Sequence, residues 1–359
     1  MILITQLLVA TTAAASPNET VLTSCGPVRG RLNAGTLAFK GIPFSKSPEG
    51  LLRWRPPTLP TCWDGTLDAG GFSEICAQNG GGSEDCLYLN VYTTAANASL
   101  PVLVYIHGGG LLLGDGRTDF TNFMRHGCAE GGCVIVTIQY RLGVLGWLAN
   151  TALSAEQGGA SGNYGLMDQQ AALRWVQAEI GAFGGDRTRV TVAGQSSGGT
   201  SVFALLSSSA SVGLFSAAIS LSGSPNITMD LSAAEAQNAQ VAAAGCPKQS
   251  EAASSAAYLA CMRNASVEAL LHARPPCWET PTQVCVHATK IETLATTDEA
   301  VCTSLAEHSA YHRRGVARTR PAVRTARRGW CVDHSPPPRG PARRPRRCAG
   351  HAGKCRVGE

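Results

Sequence analysis

Nine residues, Thr191-Val192-Ala193-Gly194-Gln195-Ser196-Ser197-Gly198-Gly199, carry a β-branched run straight into a G-x-S-x-G pentapeptide. The pattern calls for a sharp strand-to-helix turn, in which Gly194 and Gly198 leave room for the backbone to lift the Ser196 hydroxyl clear of a sheet. Chemistry at Ser196 is the first expectation. Alone the pentapeptide is weak, because a chain with 40 glycines meets it in ordinary loops as well. A second element strengthens it. Upstream, Pro101-Val102-Leu103-Val104-Tyr105-Ile106 reads as a buried strand that runs into His107-Gly108-Gly109-Gly110. Acyl transfer develops an oxyanion, and successive glycines let backbone N–H groups approach it with no Cβ in the way.

With both motifs in that order, the chain resembles the type B carboxylesterase and cholinesterase family of α/β-hydrolases. The resemblance runs from Gly41 to about Leu271, through Gly41-Ile42-Pro43-Phe44, Leu52-Arg53-Trp54, Ser83-Glu84-Asp85-Cys86-Leu87-Tyr88-Leu89-Asn90 and Tyr140-Arg141-Leu142-Gly143. It continues through Gly162-Asn163-Tyr164-Gly165-Leu166-Met167-Asp168-Gln169 and on from Trp175 to Asp186. It implies a serine hydrolase of carboxylic esters with Ser196 as nucleophile and the N–H groups of Gly109, Gly110 and Ser197 as oxyanion hole. The implied disulfides are Cys76 with Cys86 and Cys246 with Cys261, which leaves Cys128 with Cys133 and Cys25 with Cys62 as candidates. Arg53 with Glu84 and Arg141 with Asp186 are read as structural braces, and Asp168 and His107 as structural too. The triad order in this fold is Ser, then Asp or Glu, then His, and His107 precedes the serine.

Periodicity agrees with an α/β fold, a mostly parallel central sheet flanked by helices. Val102 to Ile106, Cys133 to Gln139, Val190 to Ala193 and Phe215 to Ser222 are apolar runs of strand length. Between the second and third, Leu166, Ala171, Leu173, Trp175, Val176 and Ile180 give one apolar face to a helix over Met167 to Ile180, closed by Phe183-Gly184-Gly185.

Four departures from the family pattern matter. Gln195 replaces an acidic residue before the nucleophile, and Ser197 replaces an alanine after it. The Cys76 to Cys86 loop, Ala77 to Asp85, holds no aromatic to greet a quaternary ammonium, which argues against a choline ester specialist. Most seriously, no family phrase is legible past about Ala273, so the α/β-hydrolase portion reads as 16–273 and as incomplete on its C-terminal side. Glu299, in Asp298-Glu299-Ala300, is the one candidate for the triad acid, and the triad histidine is not identified among His308, His312, His334 and His351. The alternative functions are therefore a truncated or frame-altered family member without a complete triad, or a non-catalytic cholinesterase-like binding protein.

The ends of the chain differ from its middle. Ile2 to Ala10 is almost wholly apolar and Ala13-Ala14-Ala15 offers a small-residue cleavage site, so residues 1–15 read as a signal peptide. Sequons at Asn18, Asn97, Asn226 and Asn264, and fourteen cysteines, fit the secretory pathway that such a leader implies. Residues 312–359 carry fourteen Lys and Arg against two acids, so a basic tail hangs on an acidic body and the net +5 is an average of the two. The unmatched segment 274–359, Pro- and Arg-rich from about 311, is expected to be disordered. Its Cys331-x-x-His334 and Cys348-x-x-His351 spacings imitate zinc ligands without flanking strand or helix signals, so no metal is assigned. The reading calls for no cofactor, no nucleic acid and no membrane span; the partner is a small-molecule ester, and the oligomeric state stays open.

Overall fold

Short β-branched runs bury both faces best in the middle of a sheet, and that is where they sit. The computed structural model describes residues 19–128, 131–225 and 229–273. Its strands, in chain order, are Thr20–Thr23 (β1), Gly26–Arg29 (β2), Arg31–Asn33 (β3), Thr36–Pro43 (β4) and Leu67–Asp68 (β5). Tyr88–Thr93 (β6), Leu100–Ile106 (β7), Val134–Ile138 (β8), Gly185–Gln195 (β9) and Ala217–Leu221 (β10) follow. β1, β2 and β5 form a small sheet, and the other seven a central sheet ordered β10-β9-β7-β8-β6-β4-β3.

The central sheet is mixed. β10, β9, β7 and β8 pair in parallel, whereas β8 with β6, β6 with β4 and β4 with β3 are antiparallel. The expected parallel arrangement thus holds on the side that carries the two motifs. All five residues of β8 are buried, and each Val or Ile fully taken from water contributes roughly 1.5–3 kcal/mol. β10 lies at the edge, with Ile219 and Leu221 about half exposed.

Chain order and spatial order differ where β7 and β8 exchange places, so that the chain passes β8 on its way from β6 to β7. β7 is followed by its neighbour β8, but the next crossover carries the chain back past β7 to β9. In an open α/β sheet the crevice beyond the strand C-termini at such a reversal is where ligands bind. The crossover contains the helix Tyr164–Glu179, which begins three residues before the expected Met167, just after Asn163 in the left-handed region at φ 58°. It buries Leu166, Asp168, Gln169, Leu173 and Val176. A 3-10 turn, Ile180–Phe183, ends on Gly184 at φ 79°. There a side chain would put its Cβ 2.0 Å from the Ala95 carbonyl oxygen.

One brace is confirmed and one is corrected. Arg53 forks onto Glu84 at 2.7 and 2.6 Å, and its Nη1 donates to the carbonyls of Met262, Arg263 and Ala265. It thereby satisfies carbonyls left open at the end of the helix Ser255–Asn264. Arg141, by contrast, pairs with Asp168 and not with Asp186. Asp186, near the start of β9, accepts from the Thr188 N–H, the Thr188 hydroxyl and Arg189. Those hydrogen bonds, Thr188 first, hold its carboxyl below the usual range. The structural reading of Asp168 stands.

All four expected cysteine pairs are bonded: Cys25–Cys62, Cys76–Cys86, Cys128–Cys133 and Cys246–Cys261, with Cα separations from 4.7 to 5.8 Å. Asn97 and Asn264 are exposed. The leader 1–15, Asn18, Asn226, Glu299 and the whole of 274–359 lie outside the described residues.

Candidate active site

Ile106 of β7 pairs with Gly194 of β9, so the chain leaves both strands on the same side, and the residues that follow, His107-Gly108-Gly109-Gly110 and Gln195-Ser196, become neighbours. Contact follows directly. A Cβ added to Gly108 would sit 3.1 Å from Ser196 Cβ and 2.7 Å from the Gln195 carbonyl oxygen. The glycine loop can approach the serine this closely only because it has no side chain there.

Ser196 is a partly exposed non-glycine residue at φ 56°, ψ −124°. Such a conformation costs of order 1–3 kcal/mol and persists only where the surroundings impose it. They do so from both sides. The Ser196 N–H donates to Leu221 O at 2.8 Å, and its carbonyl accepts from Thr200 N–H at 2.9 Å. A Cβ on Gly194 would fall 2.2 Å from Gly198 O, and one on Gly198 would fall 2.2 Å from Ile106 O, so the turn and its contact with β7 both require glycine. The helix Ser197–Ser207 starts immediately behind the serine, with its positive dipole end toward the hydroxyl.

The facing loop is equally constrained. Gly109 and Gly110 have φ 117° and 65°, and Leu111, though not glycine, has φ 60°. Ser197 is buried, and its hydroxyl accepts the Leu111 N–H at 3.2 Å. Sequence reasoning gave Ser197 a role only through its backbone, and gave Tyr140 and Leu111 none. Tyr140 lies in a quoted family phrase, yet nothing in its spacing shows that its hydroxyl reaches His107 O at 2.8 Å.

His107 is not placed as a base for Ser196. Its Nδ1 is bonded to Gly108 O at 2.8 Å, its ring stacks on Tyr140 at 4.3 Å, and its buried Nε2 has no partner among the described residues. Burial pushes the imidazole down to about 4. Among the described residues no group of three or more His, Cys, Asp or Glu is arranged to hold a metal ion. Nor is any described helix long and apolar enough to cross a membrane. A cavity of about 560 Å³ between Phe44, Trp63 and Trp175 is walled by neither Ser196 nor the glycine loop.

An elbow serine facing a glycine loop at the switch point of a mixed α/β sheet is the arrangement of an α/β-hydrolase. The chain belongs to the carboxylesterase family, whose family model matches residues 17–302. That match runs on past residue 273, where family phrases cease to be legible, and takes in Glu299. A fumonisin B1 esterase of Sphingopyxis macrogoltabida is 43% identical over 209 residues, 55% of this chain and 38% of that protein. A pyrethroid hydrolase of Mus musculus is 41% identical over 276 residues, 68% of this chain and 47% of that protein. Among solved structures, a Geobacillus stearothermophilus carboxylesterase superposes with TM-score 0.63 at 37% identity, covering 71% of this chain and 54% of that one. The chain spans less than half the length of these two curated relatives.

Proposed function

We propose that this protein is a secreted serine esterase that cleaves small-molecule carboxylic esters through an acyl-enzyme on Ser196. The observation that carries the reading is the register of Ile106 with Gly194, which brings the glycine loop against the elbow serine. Ser196 Oγ adds to the acyl carbon while its proton passes to a general base. The N–H groups of Gly109, Gly110 and Ser197 hold the oxyanion, and collapse of the tetrahedral adduct expels the alcohol. Water then repeats the sequence on the acyl-enzyme and releases the acid. Gln195, in place of an acid, leaves the site one negative charge poorer beside the reacting serine.

The base is a histidine oriented by a carboxylate. Glu299 is the proposed carboxylate, and His308, His312, His334 and His351 are the histidines to test. The leader 1–15, the family body 16–273, the segment 274–359 and glycans at Asn18, Asn97, Asn226 and Asn264 complete the reading, with the secretory lumen as compartment. The four disulfides support that compartment, since an oxidising lumen preserves them.

One observation favours a second reading, a family member without turnover: no described histidine is bonded toward Ser196, His107 being committed elsewhere. Acid-quenched mixtures with p-nitrophenyl butyrate separate the two. The esterase reading expects a butyryl group on the Ser196 peptide, absent after Ser196→Ala, and a loss of turnover on one of the four His→Ala changes. No adduct and no turnover would establish the non-catalytic reading instead.

A further inference from the structure

The loop that carries Gly109 and Gly110, the proposed oxyanion donors, is held at both ends by a hydrogen bond to a side-chain hydroxyl. At its start, the His107 carbonyl accepts the Tyr140 hydroxyl proton at 2.8 Å. At its end, the Leu111 N–H donates to Ser197 Oγ at 3.2 Å. Two buried hydroxyls, Tyr140 at the start and Ser197 at the end, thus anchor the segment His107 to Leu111.

Tyr140 and Leu111 are fully buried, and Ser197 and His107 nearly so. The His107 ring lies stacked on Tyr140, and the Leu111 carbonyl is held from the other side by Gly143 N–H at 2.8 Å. Leu111 sits in the left-handed region at φ 60°, where a non-glycine residue stays only under such restraint. An alanine at position 197 would leave the buried Leu111 N–H without its acceptor, while preserving the backbone N–H proposed for the oxyanion.

We propose that Ser197 is a positioning residue as well as a backbone donor: with Tyr140 it forms a clamp across His107 to Leu111 that fixes the Gly109 and Gly110 amides for the oxyanion. The inference rests on the esterase reading of Ser196, and it concerns the one hydroxyl of the elbow that the acyl-transfer steps leave unused. Removing the hydroxyl loosens the amides without touching the nucleophile, so ground-state binding stays and the step that develops negative charge slows.

The full-length protein and its Ser197→Ala, Tyr140→Phe and doubly substituted forms test this by two readouts. The first is hydrogen exchange of the Leu111 amide; the second is phosphonylation of Ser196 by an alkyl fluorophosphonate, resolved into reversible affinity and bond-forming rate. The clamp expects each single change to speed Leu111 exchange and slow the bond-forming rate by roughly five- to tenfold, with reversible affinity and exchange at Val104 unchanged. It also expects the double form to fall short of the product of the singles, because both hydroxyls hold the same five-residue segment, His107 to Leu111. Leu111 exchange unaltered by Ser197→Ala, or losses that multiply, would overturn the clamp. If the unsubstituted protein takes no phosphonyl group at Ser196, the esterase reading fails, and the exchange data alone decide whether the loop is clamped.

Discussion

Arg141 and Asp168 meet face to face in the core, Nε to Oδ2 at 2.8 Å and Nη2 to Oδ1 at 2.7 Å, with side chains 4% and 0% exposed. Asp168 Oδ2 also accepts the Arg141 backbone N–H at 3.0 Å, so the pair fixes the chain leaving Tyr140 against the first turn of the helix Tyr164–Glu179. Removing one partner from a buried pair leaves the other charge uncompensated, at about 3–5 kcal/mol. Asp168→Asn should therefore lower stability by that amount in urea unfolding, whereas Asp186→Asn, near the start of β9, should change it far less. Equal effects would restore Asp186 as the partner of Arg141.

Glycine at position 198 is dictated by a neighbour in another strand. Its Cβ would collide with Ile106 O at 2.2 Å, whereas one at Gly181 would meet nothing within 4 Å. Gly198→Ala should abolish phosphonylation of Ser196 and cost more than about 2 kcal/mol of stability, an overpacking penalty. Gly181→Ala should leave labelling intact and stability within about 0.5 kcal/mol. Normal labelling of Gly198→Ala would show that the elbow does not need its contact with β7.

His107 gives the body a calculable response to acid. Burial depresses its folded pKa to about 4 from an ordinary 6.5. Below 6.5 the unfolded chain takes a proton that the folded chain refuses. Its contribution is thus fully present above pH 6.5 and is lost as pH falls toward 4, over about 3 kcal/mol. Urea midpoints measured from pH 7.5 to 4 should fall accordingly, and His107→Gln should flatten that slope. A slope unchanged by the substitution would place the titration elsewhere.

Cys76–Cys86 and Cys246–Cys261 close loops with sequence separations of 10 and 15. In the chain-entropy description each contributes about 3 kcal/mol. Replacing either pair by serines should lower stability by about that much, and non-reducing peptide maps should recover both pairs. Alkylation of these four cysteines without prior reduction would reject the pairings.

What could be read from the sequence was what local geometry dictates. Gly194, Ser196 and Gly198 announce an elbow because only glycine tolerates those backbone contacts, and Gly108 to Gly110 announce a loop for the same reason. Partnerships set by the packing of distant elements were less legible. Asp168 lies within the helix Tyr164–Glu179 and Asp186 near the start of β9, and only the rotational setting of that helix turns Asp168 toward Arg141. β9 begins at Gly185, five residues before its apolar run, because pairing of Gly185 with Leu100 extends a strand through the polar Asp186 to Arg189. The Ser197 hydroxyl escaped notice because its partner, the Leu111 N–H, stands 86 positions away in sequence.

Peptide mapping after treatment with a fluorophosphonate tests the nucleophile most directly. The expected result is one phosphonyl group per chain, on the peptide that contains Gly194-Gln195-Ser196, lost on Ser196→Ala and kept on Ser197→Ala at a reduced rate. Labelling that survives Ser196→Ala, or a chain that takes no label while its folded disulfide-bonded body is intact, would contradict the assignment of Ser196.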